Sequence, residues 1–448
     1  MARGTSITNS NWKKVFDTFS LLQGISDDGF VDITSDQFHS LHLQPRLLTK
    51  MDHAHQVPEI FQDNGLNILT RGLTTWRIGK FEVFKSLPDW KTPEEGEAKN
   101  LEMPPFIQSI DTSKITGEPG VIHAAQASGM LTDFLEENQT LTISGRMRTH
   151  DFSFEVNNKK SGQSIIDVSG AQIEIDAGFE SKSAISLFEI KNHIAGDLCI
   201  RQLYFPMRVW QHRVPKKPIR NIFLTRANDV FDVYEFTFTN ESSYSSAELI
   251  RHKRYTIGAQ RPSVVEIEQT IQRSPVQYSK RSPVSPIPFP QADDFERVID
   301  LVSFIAEKPR TTDDLTDNYD FHERQSSYYF DAARYLGLAE TTKNELGQEF
   351  RIATNAAFEI LSMPFKAKVL RFVELLVAIE PVRMTYIEWR KSGISPGPEW
   401  IERTLAASTL AVKANGEQLG TQTIKRRAKT VAAWAGWIIA MSEEGQKA

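Results

Sequence analysis

The sequence predicts an α/β (α+β) core with a mixed central sheet, followed by a mainly helical C-terminal region. Three observations carry this. Between about residues 120 and 258, runs with helical and with strand periodicity alternate, the pattern of a layered α/β core. Ser274 to Pro290 then gathers Pro275, Pro283, Pro286, Pro288 and Pro290 among Ser and basic residues, the composition of an extended linker. Beyond it most apolar runs keep helical spacing.

Residues 1–110 form an N-terminal α/β region of short helical and strand signals, closing in the Pro/Glu-rich stretch Asp89 to Pro105, a loop by composition. The core, 111–272, predicts a helix over Ala124–Glu137 and strands over Leu141–Gly145, Ala171–Asp176 and Ile185–Lys191. A helix over Asp197–Gln211 and strands over Asn221–Thr225 and Val230–Asn240 follow. The linker occupies 273–292. Residues 293–355 give an amphipathic helix over Phe295–Ala306 and a short helix capped by Thr311-Thr312-Asp313-Asp314. A longer helix over Asp320–Leu336 stops at Gly337, and a hairpin spans Glu340–Ile352. This is the order of a winged helix-turn-helix. Residues 356–448 are helical, as a further binding region or a second winged helix.

The chain has 448 residues, enough for two to four domains with real cores. Its apolar stretches, such as Val431 to Met441, are too short to span a bilayer, and no apolar leader follows a basic flank at the N-terminus. A cytoplasmic protein with no membrane partner is expected. Cys199 is the single cysteine, so an intrachain disulfide and a multi-cysteine zinc site are excluded, and its apolar setting reads as core. Asp52-His53-Ala54-His55 is the one tight histidine pair. With no third ligand nearby in sequence it reads as a surface turn. There is no GxxxxGK[ST] phosphate loop and no internal repeat.

The chemistry concentrates on two strands. In Ile173-Glu174-Ile175-Asp176, alternation puts both carboxylates on one face, and in Ile185–Lys191 it puts Glu189 beside Lys191. Ala177 to Ala184 contains Gly178 and a Ser/Lys cluster able to turn, so a hairpin would bring Asp176 to Glu189. Two close carboxylates repel unless a cation or a shared proton offsets the repulsion, and hard oxygen ligands suit Mg²⁺. A lysine alongside can position water or stabilise charge developing on phosphorus. Strands ending in Glu-x-Lys are also common as solvated, cross-strand-paired faces.

Asp176, Glu189 and Lys191 match the D…ExK part of the PD-(D/E)XK nuclease pattern. The runs Gln172–Glu180, Glu189–Asn192 and Ile200–Arg208 with Trp210 resemble a group of type II restriction endonucleases. Pro45 to Asp52 with Pro58 to Phe61 looks like the start of those enzymes, and Thr423 to Trp434 resembles their C-terminal helix. Ile175 stands where the motif's proline would be. The resemblance implies a restriction-endonuclease-like core in which Asp176, Glu189 and the Ile190 carbonyl hold Mg²⁺ while Lys191 orients or activates the attacking water. It further implies an acid from an early helix, Asp133, Glu136 or Glu137, with Glu174 the other candidate. Gln202 and Tyr204 open the helix where related folds contact phosphate or metal; packing is the alternative for both.

By that resemblance the chain is a type II restriction endonuclease that cuts specific sites in double-stranded DNA and leaves a 5′ phosphate. A homodimer is expected by analogy, and a cognate DNA methyltransferase as a system partner rather than a stable subunit. Residues 1–110 would serve DNA recognition or dimerisation. In the longer helix after the linker, His322, Glu323, Arg324, Ser326 or Ser327 would face DNA while Phe321, Tyr329 and Leu336 pack inward; a dimerisation bundle is the other reading. In the C-terminal helix Lys425, Arg426, Arg427 and Lys429 would line the side left free by Ile424, Ala428, Val431 and Trp434. The net charge of −5 does not oppose this, because phosphate affinity is local. From Arg251 to Pro290 seven basic residues face two acidic ones. Two other functions fit the same residues: a non-catalytic DNA-binding regulator using the winged helix, and a nuclease confined to modified DNA or repair intermediates.

Overall fold

The computed structural model describes residues 7–88, 98–276, 288–318, 323–411 and 417–442; the side chains of 316–318, 323–326 and 409 lie outside the description. A seven-stranded mixed sheet forms the centre. In chain order its strands are β1 (Lys99–Leu101), β2 (Thr140–Arg148), β3 (Gln172–Glu180), β4 (Ile185–Lys191), β5 (Ile219–Ala227), β6 (Val230–Phe238) and β7 (Ala247–Ile257). They lie in the order β1-β7-β6-β5-β4-β3-β2. The pairs β4–β5 and β7–β1 are parallel and the rest antiparallel. All seven residues of β4 are buried, as expected for a strand covered on both faces.

Helices α1 (Gly117–Ala127) and α2 (Met130–Leu135) cover one face through Val121, Phe134, Phe179, Phe188 and Leu224. Helix α3 (Arg201–Arg213) and the hairpin Phe152–Asn158/Gly162–Val168 cover the other through Phe154, Leu187, Tyr204 and Phe223. The expected single helix Ala124–Glu137 is two, because Gly129 sits at φ 79°, a left-handed break that glycine adopts without strain. The expected helix from Asp197 begins at Arg201, since Asp197–Cys199 pairs as a strand with Phe84–Ser86. Cys199 is buried, as its setting implied.

Two strands lacked an apolar signature. β1 falls inside the stretch read as loop. β7 carries Arg251, Lys253 and Arg254, whose charges are matched by Glu235 and Glu136, by Asp133, and by Asp232. The basic run after residue 250 is therefore ion-paired to β6 and α2 at these positions.

The N-terminal region packs Trp12, Phe16, Phe38 and Phe61 edge to face behind a three-stranded antiparallel sheet. After the core come helices Phe295–Glu307, Thr312–Asn318 and Glu323–Tyr335 and the hairpin Ala339–Lys343/Glu349–Ala353, the element order expected. Thr311 and Asp314 cap each other's backbone N–H reciprocally, as the sequence indicated.

One apolar core runs from Ile267 through Phe295 and Leu376 to Trp434 and Ile438, so residues 293–355 and 356–448 are packed together. Of the linker, 277–287 lie outside the described residues. Phe289 and Ala292 are buried in that core, the Trp434 indole donating to the Ala292 carbonyl at 2.9 Å. Among the described residues no helix is long and apolar enough to cross a membrane.

Candidate active site

The ladder between β3 and β4 ends with Ala177 opposite Phe188, which puts Asp176 opposite Glu189 at the next position. Asp176 is aimed by a bulge. On β2, Ile143 to Gly145 advances two residues while the paired Gly178 to Ile175 on β3 spans three. An extra residue on one strand re-aims side chains locally. Ile173 and Ile175 accordingly join the core layer of Leu187, whereas Ala177 and Phe179 join the opposite layer. Beyond the ladder, Asp176 Oδ2 accepts a hydrogen bond from the Ile190 N–H at 2.8 Å. Gly178 permits the close approach, since a Cβ there would stand 2.7 Å from Ile143 Cβ.

Glu189 and Lys191 are both buried, with Lys191 Nζ 2.5 Å from Glu189 Oε1 and 3.7 Å from Glu118 Oε1 on the first turn of α1. The Gln202 amide on the first turn of α3 also donates to Glu189 Oε1. Asp52 from the N-terminal region adds a further buried carboxylate. It is tied to Lys50 at 3.2 Å and Arg201 at 3.8 Å, and its field reaches Lys191 and Glu189. Four carboxylates therefore surround one lysine.

Their ionisation follows from the crowding. Burial pushes the Asp176 carboxyl up to about 7, with the charges of Glu189 and Glu118 adding to the shift. Burial likewise raises Glu189, against the pull of Lys191. Burial opposes the Lys191 ammonium, but Glu189, Glu118 and Asp52 more than offset it and hold the group well above its ordinary value. For Asp52 burial works upward, yet Lys191, Lys50 and Arg201 prevail and keep it ionised.

The donor set suits a hard divalent cation. Asp176 and Glu189 supply carboxylate oxygens, Ile190 a main-chain carbonyl, and Gln202 Oε1 is buried with no hydrogen-bond partner among the described residues. Among those residues, no cluster of three or more His, Cys, Asp or Glu side chains closes into a ligand set. Two carboxylates and a carbonyl would leave positions for water and substrate, as Mg²⁺ sites commonly do.

Several expected residues lie elsewhere. Glu137 accepts from Ser183 Oγ and the Lys182 N–H at the far turn of the hairpin, where it is partly exposed. Asp133 is held by Lys99 and by Tyr255 Oη, and Glu136 by Arg251. The acid that α1 does bring to Lys191 is Glu118, which lacks any local sequence signal. Glu174 is exposed and pairs with Arg146 on β2 at 3.2 Å, because the bulge breaks the face it was expected to share with Asp176. Tyr204 is fully buried, its hydroxyl donating to the Glu241 carbonyl at 2.7 Å, so the packing alternative holds. His53, read as a surface turn, is only 3 % exposed. Asp52 lies at the end of the Pro45–Asp52 stretch, so its part in the resemblance was the available signal.

Of the groups expected to face DNA, Phe321 and His322, and the side chains of Glu323, Arg324 and Ser326, lie outside the described residues. Ser327 is exposed, Tyr329 buried and Leu336 partly buried. In the C-terminal helix Thr421–Ala440, Lys425, Arg426 and Lys429 are exposed while Ala428, Val431 and Trp434 face the core. Arg427 departs from the expectation. It is buried, donating to the Leu410 carbonyl at 3.4 Å, because it falls on the inward stripe with Ala428 and Val431. The C-terminal region docks beside the site, through Asn192 on Glu307, the Ile194 N–H on Asp300, and Lys368 on Asp229. A cavity of about 1310 Å³ opens there between the two regions, with Asn192, Arg226, Glu296 and Lys368 in its walls; it includes none of Asp176, Glu189 or Lys191.

Three family models match successive parts of the chain, each described as a domain of unknown function: DUF6996 over residues 9–78, DUF6997 over 79–256 and DUF7226 over 297–443. No curated protein and no solved structure matches the chain. The first boundary divides the site, with Asp52 in the first match and Glu118, Asp176, Glu189 and Lys191 in the second.

Proposed function

We propose that the chain is a Mg²⁺-dependent endodeoxyribonuclease of the PD-(D/E)XK type, a type II restriction endonuclease with a restriction-endonuclease-like core and a C-terminal winged helix. The observation that supports this best is the bulged Asp176 facing Glu189 at the open end of the β3–β4 ladder, with the Lys191 ammonium lodged among carboxylates. When bound, Mg²⁺ supplies Lewis-acid polarisation of the phosphoryl oxygens and a more acidic water.

The chain's own groups do the rest. Asp176, Glu189 and the Ile190 carbonyl would hold the cation. Lys191, kept protonated by its neighbours, acts as a donor. It orients the incoming water and stabilises charge on the phosphoryl oxygens rather than taking a proton. Gln202 fixes Glu189. Water attacks phosphorus, the P–O3′ bond breaks, the 3′ oxygen leaves as a hydroxyl after gaining a proton, and the 5′ phosphate stays with the other fragment. Exposed Lys425, Arg426 and Lys429 would track the phosphates, with Ser327 and its helix toward the duplex. Double-stranded DNA, a second copy of the chain and a system methyltransferase are the partners of this reading, and the cytoplasm is its compartment.

Plasmid digestion tests it. With Mg²⁺ the purified protein should give discrete fragments, and Lys191→Ala should bind DNA without cutting. Full cutting by Lys191→Ala rejects the assignment. Binding without cutting by the wild type favours a regulator, and cutting confined to modified or branched DNA a nuclease of that class.

A further inference from the structure

A second cluster lies behind Lys191, where the loop after β4 meets the N-terminal region. Asp197 receives two hydrogen bonds there: Oδ2 from the Ala54 N–H at 2.9 Å, and Oδ1 from His53 Nδ1 at 2.8 Å. A carboxylate only accepts, so His53 carries its proton on Nδ1. In the neutral ring Nε2 is then a lone pair, and it faces His193 Nε2 at 3.4 Å. The two rings are inclined at 72°. Burial pushes the His193 imidazole well below its usual range, so that ring is neutral at pH 7.

At 3.4 Å the two nitrogens stand at the long, weak end of hydrogen-bond contact. That distance matches the span of two imidazole nitrogens on one ion: at about 2.0–2.1 Å each and a tetrahedral angle, they stand roughly 3.3–3.4 Å apart. A carboxylate on the far nitrogen is the usual partner of a metal-bound histidine, fixing its tautomer and orientation. The geometry points to a second metal site, in which His53 and His193 bind a borderline-soft divalent ion such as Zn²⁺ and Asp197 orients His53.

Imidazole nitrogens favour Zn²⁺ over Mg²⁺, which separates this site from the carboxylate set of Asp176 and Glu189. Among the described residues no third His, Cys, Asp or Glu completes the set, so water fills the remaining positions and the ion is exchangeable. Its effect is to clasp the N-terminal region to the loop that follows Lys191. The inference does not depend on the nuclease reading.

The test is calorimetric titration of the chelator-treated full chain with Zn²⁺ alone. When the titration is repeated in saturating Mg²⁺, which occupies the carboxylate set, the wild type should still bind one equivalent. His53→Gln and His193→Gln should each abolish that binding, and Asp197→Asn should weaken it about 10- to 100-fold. Glu137→Gln, at the far turn of the hairpin, should leave it unchanged. Cu²⁺ bound to the wild type should show two imidazole nitrogens by electron paramagnetic resonance, a readout that needs no variant. Undiminished Zn²⁺ binding in folded His53→Gln and His193→Gln, or no two-nitrogen signal in the wild type, would overturn the assignment.

Discussion

Asp176→Asn should leave the protein better protected and unable to cut. In the fold, burial and the charges of Glu189 and Glu118 raise the Asp176 carboxyl from 3.8 to about 7. A carboxyl raised on folding makes the native state the stronger proton binder. Its contribution is therefore fully present below pH 3.8 and is lost as pH rises through 7. Three units correspond to about 4 kcal/mol, a ceiling because the side chain is partly open to solvent. Asparagine keeps an acceptor for the Ile190 N–H but not its charge, a loss of about 1 kcal/mol. The net gain at pH 8 is then roughly 2–3 kcal/mol, or about 30- to 150-fold in exchange protection where local opening governs. Hydrogen exchange of the β3–β4 amides without metal measures this, and the difference from wild type should shrink toward pH 4. Adding Mg²⁺ should raise protection in the wild type and leave the variant unchanged, with cleavage lost throughout. Equal protection of the two proteins at pH 8 would refute the idea that these carboxylates are forced together.

Glu118→Gln should slow cleavage about 10- to 100-fold, whereas Glu137→Gln should alter it by no more than about twofold; single-turnover rates decide. Glu296 is raised by burial from 4.5 to about 7 while accepting from Trp437 Nε1 at 2.6 Å. Its contribution is present below pH 4.5 and lost as pH passes 7, by about 3 kcal/mol at most, so Glu296→Gln should flatten stability between those values in urea titrations. Trp434→Ala should cost about 3–5 kcal/mol. Because residues 293–355 and 356–448 share one core, limited proteolysis should find both released together.

The site was legible in the sequence as far as it is local. Asp176 and Glu189 are thirteen residues apart on a hairpin, and period-two alternation alone puts Glu189 and Lys191 on one face of β4. The same alternation misled at Glu174, since a bulge depends on how β2 pairs with β3, and β2 lies some thirty residues upstream. It also missed β7, whose charges can be half-buried only because β6 and α2 offer acids opposite them.

What the sequence by itself determined is the α/β class and the two strands that carry Asp176, Glu189 and Lys191, because side-chain periodicity follows from the geometry of a single segment. Only the tertiary structure decided which distant groups crowd them: Glu118 in place of Glu137, Asp52 beside Lys191, His53 against His193, and Arg427 turned inward. Those choices are set by the packing of whole regions across the sheet. Burial then decides the charge chemistry, since a carboxylate that costs little in water becomes a demand for a cation once its neighbours and the apolar layers exclude solvent.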